Sequence, residues 1–197
     1  MNPHVANLQS SLGLTADGAF GPKTAAALRQ AAENGRVIIT PKTAAAAQGA
    51  KTFQGSVEVT EIIVHCSDTP PDWMQGQTII AKRDEIDRWH RLRGFRKIGY
   101  HYLIDRDGTT TVCRPPTEVG AHVIGHNSGT LGVCLIGGHS GAATDDFARH
   151  FTSEQKLALC QLIGDIRKRA RIVRVTGHNQ YAAKACPCFN VEKEITC

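Results

Sequence analysis

The sequence predicts an α/β fold, a central mixed β-sheet flanked by helices, with a small α-helical N-terminal module. Three observations predict it. From Val57 onward, apolar runs alternate with amphipathic segments of helical period. One Asp-Gly dipeptide joins two strand-like runs and so brings antiparallel pairing into the sheet. The first third of the chain, Ala-rich and helix-forming, differs in composition from the rest.

The N-terminal "NLQSSLGLTADGAFGPKTAAALRQAA" reads as two short helices around a tight turn. Its "DG" marks the turn, and Pro22 suits a first helical position. A piece this small buries little surface and must lean on something to be stable. A second "PKTAAA" at Pro41 to Ala46 echoes the one at Pro22, as a partial repeat or as a coincidence of Ala-rich composition. Residues 1–34 are assigned to the module, 35–56, poor in periodic pattern, to a linker, and 57–197 to the main domain.

Within the main domain "VEVTEIIVHC" is one strand ending at His65. "TIIAKRDEIDRWHRLRG" has helical period through Ile79, Ile86 and Trp89, with Gly94 as its stop. "GYHYLIDRDGTTTVCRP" is a hairpin turning at Asp107-Gly108. "LGVCLIGG" is a fully buried strand, and "TSEQKLALCQLIGDIRKRA" a helix opened by Thr152 with Gln155 as its capping-box partner. "RIVRVTGH" is a last strand, ending at His178.

Composition narrows the function. The 197 residues carry a formal charge of +5, which favours an anionic partner, but the basic clusters "RWHRLRGFRK" and "DIRKRARIVR" fall where helices end and complement the helix dipole. With 6% aromatic residues there is no stacking platform, so no nucleic acid is expected. The N-terminus shows no basic segment followed by an apolar run, and no stretch suits a bilayer; synthesis without a signal peptide in a cytoplasm and no membrane insertion are expected. Seven cysteines, an odd number in such a chain, argue for buried thiols or metal ligation rather than a disulfide framework. Cys134 and Cys160 read as core residues.

Two strands end in histidine, and in open α/β sheets the strand ends form the crevice where ligands sit. Taken singly, His65 or His178 is an ordinary satisfied polar residue. The short return loop after His178 delivers Cys186, and two imidazoles with one thiolate make a three-ligand set that leaves a fourth zinc position for water. Such a zinc suits amide or ester hydrolysis. Lys184, two residues before the thiolate, is a candidate to stabilise an oxyanion, and Tyr100 to handle protons. A solvated lysine and a core-edge tyrosine are the plain alternatives. Cys188 competes with Cys186 as ligand, and Cys66 should point to the opposite strand face from His65.

Four motifs in order over about Val57 to Val191 carry a resemblance: "EIIVHCSDTP", "EIDRWHRLRGFRKIGYHYLIDRDGTTTVCRP", "EVGAHVIGHNSGTLGVCLIGG" and "TGHNQYAAKACPCFN". Together they resemble the zinc-dependent N-acetylmuramoyl-L-alanine amidases of the phage-lysozyme and peptidoglycan-recognition-protein type. The resemblance implies one zinc per chain on His65, His178 and Cys186, catalytic assistance from Tyr100 and Lys184, and a substrate groove lined by His122 with Asn127 nearby. It implies cleavage of the amide between N-acetylmuramic acid and L-alanine of the stem peptide. "LQSSLGLTADGAFGPKTAAAL" resembles a helical peptidoglycan-binding module, with Leu8, Gly18, Phe20 and Gly21 in its pattern. The expectation is a monomeric phage or prophage endolysin acting on the cell wall, with peptidoglycan as partner and a holin-type partner for release. A non-catalytic recognition protein and a regulator binding another intracellular protein, such as an RNA polymerase, are the alternatives.

Overall fold

In the computed structural model of the protein the described residues are Gln9, Leu14, Thr15, Lys23 and 51–197. The chain divides into two units between Ala45 and Ala46. The module residues Leu8, Gly18, Phe20 and Gly21, the second "PKTAAA" and the linker up to residue 50 lie outside the described residues.

Structure begins before Val57. Strand β1 (Phe53–Gln54) pairs antiparallel with β2 (Val57–Glu58) around Gly55, whose φ of +62° suits a residue without Cβ. Gln54 anchors this hairpin: its buried amide donates to Thr130 O at 3.0 Å and accepts from Gly129 N at 2.8 Å. The single strand expected over "VEVTEIIVHC" is therefore two, β2 and β3 (Glu61–Cys66), and β3 runs one residue past His65.

Five strands form the main sheet in the order β5-β4-β6-β3-β7, with β4 (Tyr102–Ile104), β5 (Thr110–Val112), β6 (Thr130–Leu135) and β7 (Arg174–Gly177). All neighbours run parallel except the β4/β5 hairpin at Asp107-Gly108. Strands β3 and β6 are buried along their whole length, as the apolar run "LGVCLIGG" led one to expect for β6, while β3 also buries the polar Glu61 and His65.

Period-two alternation sorts the side chains between two layers. On one face Ile62, Val64, Leu131, Val133 and Leu135 pack with α2 (Phe147–His150) and α3 (Ser153–Arg167) through Phe147, Phe151, Leu159 and Ile163. Thr152 and Gln155 form the expected capping box on α3, and the Gln155 amide reaches on to Ile136 O at 2.9 Å. On the other face Leu103, Cys134 and Ile136 pack with Ile79 and Ile86 of α1 (Ile79–Leu92). Thr78 caps α1, and the chain leaves it through Gly94 at φ +85°. The buried ammonium of Lys82 donates to both oxygens of Asp105 at 2.8 Å and ties α1 to β4. The α1 cluster takes no residue from β3 or β7, and that half of the face is where the cavity opens.

One cysteine expectation is corrected. Cys160, read as a core thiol, is half-buried on α3 and forms a disulfide with Cys197, the two Cα atoms 5.6 Å apart. An odd count is compatible with this, because Cys66, Cys113, Cys134, Cys186 and Cys188 are free. The chain after α4 (Val191–Glu194) returns to α3, where Arg167 donates to Cys197 O at 2.5 Å.

Candidate active site

The site forms where β3 and β7 end side by side. His65 lies on the α1 face of β3 and is almost fully buried. Strand β7 ends at Gly177 and passes into a 3-10 turn, His178–Gln180, whose first residue swings its ring to within 4.7 Å of the His65 ring. The return loop then carries Lys184 and Cys186 back past the end of β3, where Cys186 Sγ accepts from Cys66 N at 3.2 Å. Tyr181 holds that loop down, since its hydroxyl donates to the Glu61 carboxylate, which also takes Thr176 Oγ1 and Arg174.

One donor atom from each of His65, His178 and Cys186 lies within 4.8 Å of the others. Cys186 Sγ stands 3.8 Å from His65 Nδ1. For a tetrahedral zinc with Zn–S of about 2.3 Å and Zn–N of about 2.0 Å, that separation is roughly 3.5 Å, so this cage fits such an ion with small adjustment. The donor chemistry fits as well. Burial, with His122, His178 and Lys184 nearby, holds His65 well below the usual imidazole range, and burial with Lys184 lowers His178. Both rings are neutral at pH 7, as ligation requires.

Cys188 does not share the cage. It is buried on the other side of the sheet's edge, with Sγ 3.1 Å from Gly138 O and 3.7 Å from Cys66 Sγ. A Cβ at Gly138 or at Gly141 would come within 2.8 Å of one of these sulfurs, so glycine at both positions makes their room. Cys66 accordingly faces away from His65, as strand alternation requires.

A cavity of about 360 Å³ opens over the cage, and His178, Tyr100, Lys184, His122 and Asn127 all line it. Tyr100, just before β4, is half-buried with its ring 5.1 Å from that of His65, and burial raises its phenol well above 10, so it stays protonated. Lys184 is exposed at the rim. His122 is buried, with Nδ1 3.1 Å from His65 Nε2, and Asn127 Oδ1 accepts from the amides of His122 and Val123 at 2.7 and 2.9 Å. Arg93, Phe95, Ile124 and Tyr181 also line the cavity and were not singled out from sequence. "RLRGF" reads as a basic helix end; the turn at Gly94 is what carries Arg93 and Phe95 to the cavity. Ile124, 99% exposed at the rim, has no periodic context that would mark it.

A mixed sheet with a His-His-Cys set able to hold a metal ion at its strand ends, beneath a cleft lined by tyrosine and lysine, is an α/β architecture suited to metal-assisted hydrolysis. Residues 55–189 match the N-acetylmuramoyl-L-alanine amidase family, and the chain belongs to that family. It is 35% identical over 143 residues to the endolysin of Enterobacteria phage K11, covering 73% of this chain and 89% of that protein. It is 35% identical over 144 residues to the endolysin of Escherichia phage T7, covering 72% of this chain and 88% of that one. Among solved structures the fold is similar to the N-acetylmuramoyl-L-alanine amidase LysC from Clostridium intestinale, with a TM-score of 0.56 at 24% identity over 73% of this chain and 87% of that one.

Proposed function

We propose that this chain is a zinc-dependent endolysin that hydrolyses the amide between N-acetylmuramic acid and the L-alanine of the peptidoglycan stem peptide. The observation that carries the reading is the convergence of His65, His178 and Cys186 donors beneath a cavity bounded by Tyr100 and Lys184, in a member of the amidase family.

His65, His178 and Cys186 hold the zinc, one per chain. When bound, zinc polarises the scissile carbonyl and acidifies water at neutral pH. Lys184 brings a cation to the developing oxyanion, where a preorganised charge lowers the barrier more than it could in bulk water. Tyr100, kept protonated by its burial, donates to the reacting amide. His122 and Asn127 shape the wall between substrate and cage. A non-catalytic recognition role has less support, since binding alone needs neither the cage nor the neighbouring lysine and tyrosine.

Two variants separate these roles. His65→Ala is expected to lose zinc and activity together. Lys184→Ala is expected to keep one zinc per chain and lose turnover by about 100-fold or more, the size of effect seen when an oxyanion donor is removed. Full turnover in Lys184→Ala, measured as release of L-alanine amino termini, would remove Lys184 from the mechanism.

A further inference from the structure

His122 has both ring nitrogens engaged inside the protein. Nδ1 meets His65 Nε2 at 3.1 Å, and Nε2 meets Thr130 Oγ1 at 3.4 Å. The ring is held in that pose from three sides. A Cβ at Gly132 would stand 2.7 Å from its Cγ and Cδ2, a Cβ at Gly120 would stand 2.5 Å from its Cδ2, and its own backbone amide is bonded to Asn127.

The direction of the hydrogens along this chain follows from one hydroxyl. Thr130 Oγ1 donates its single proton to a carbonyl, His126 O at 2.7 Å with Asn127 O at 3.1 Å. Towards His122 it therefore presents a lone pair, and His122 Nε2 carries the hydrogen. A neutral imidazole has one N–H. His122 Nδ1 is then an acceptor, His65 Nε2 is the donor to it, and His65 Nδ1 is left with its lone pair facing Cys186 Sγ. The opposite order would put the His65 hydrogen on Nδ1, inside the cage, and block ligation there.

We propose that Thr130 and His122 are positioning residues that fix the His65 tautomer and so prepare Nδ1 as a ligand. This deepens the metal-centre reading and rests on it for its purpose, while the tautomer itself is a property of the protein without metal. It also gives His122 a task other than hydrogen-bonding substrate, since its ring nitrogens are committed inward. Second-sphere partners of a ligating imidazole commonly set metal affinity by 10- to 100-fold.

The test is nitrogen-15 NMR of the histidine rings in the full chain, freed of metal by chelator and then titrated with zinc, for wild type, Thr130→Val and Thr130→Ser. In the metal-free wild type and Thr130→Ser, His65 is expected to carry its hydrogen on Nε2 with Nδ1 bare. Thr130→Val is expected to populate the other tautomer and to bind zinc about 10-fold or more weakly. A wild-type His65 protonated on Nδ1 overturns the proposal even if Thr130→Val does not fold. So does a folded Thr130→Val with the wild-type tautomer and wild-type zinc affinity. Failure of the metal reading looks different: the Nε2–H tautomer would be present, but zinc would leave the His65, His178 and Cys186 resonances unmoved.

Discussion

At the residue scale the cage depends on which of two neighbouring thiols faces His65. Cys186 and Cys188 are separated by one proline, yet Cys186 Sγ lies 3.8 Å from His65 Nδ1 while Cys188 Sγ packs against Gly138 and Cys66. The hydrogen bond with the Cys66 thiol, and then burial, push the Cys188 thiol far up, so it remains a neutral thiol. Cys188→Ser is therefore expected to keep zinc content near one per chain in the purified protein. A metal-free Cys188→Ser protein that is still folded would move the ligand to that residue. The meeting of His65, His178 and Cys186 was legible because two strand ends and one short return loop bring them together, whereas for Tyr100 and Lys184 spacing left plain alternatives open and the family resemblance singled them out. His122 was legible as a wall residue through the family resemblance, but its bond to His65 was not, because no spacing rule links positions in two separate loops and strands. Arg93 was hidden by a basic helix end that has an ordinary electrostatic explanation.

At the element scale the neighbours of the site are held by buried polar groups rather than by apolar stripes. His101, just before β4, accepts from Gly132 N at Nδ1 (3.0 Å) and donates from Nε2 to Glu118 O (2.8 Å). Protonating it would aim a second N–H at the Gly132 amide. Burial lowers its pKa from 6.5 to about 4, and burial lowers that of His90, whose Nδ1 accepts from Gly99 N, to about 4 as well. Between pH 6.5 and 4 the unfolded chain therefore binds more protons than the native one, and stability falls as pH falls. The melting temperature is expected to be steady with respect to these groups above pH 6.5, to drop through that window and to level off below pH 4. His101→Gln should flatten the slope, and an unchanged slope would contradict the assignment. Gln54 shows why β1 and β2 escaped the sequence reading. The residue that pins them is a buried amide in a polar stretch, and apolar periodicity carries no trace of it.

At the scale of the whole molecule the alternation of apolar runs, the Asp-Gly hairpin and the α3 capping box specify the α/β class and most of the element order. What sequence pattern left out is the return of the C-terminus to α3. The Cys160–Cys197 disulfide closes a separation of 37 residues, worth about 3–4 kcal/mol by loop-closure entropy. For a domain of this size, reduction is expected to lower the melting temperature by roughly 10 °C, and equal melting curves with and without reductant would show that the bridge does not support the fold. The cage and cleft lie on the far side of the sheet from α3, so amide hydrolysis should survive reduction at temperatures where the chain remains folded. The reading of this molecule as a zinc amidase is tested most directly by digesting isolated peptidoglycan with the full chain, with and without a zinc chelator, and counting newly exposed L-alanine amino groups alongside new reducing sugar ends. New alanine termini that disappear with chelator and return with added zinc, without new reducing ends, are the predicted result. Alanine termini that persist when the protein is free of zinc, or reducing ends in their place, would contradict it.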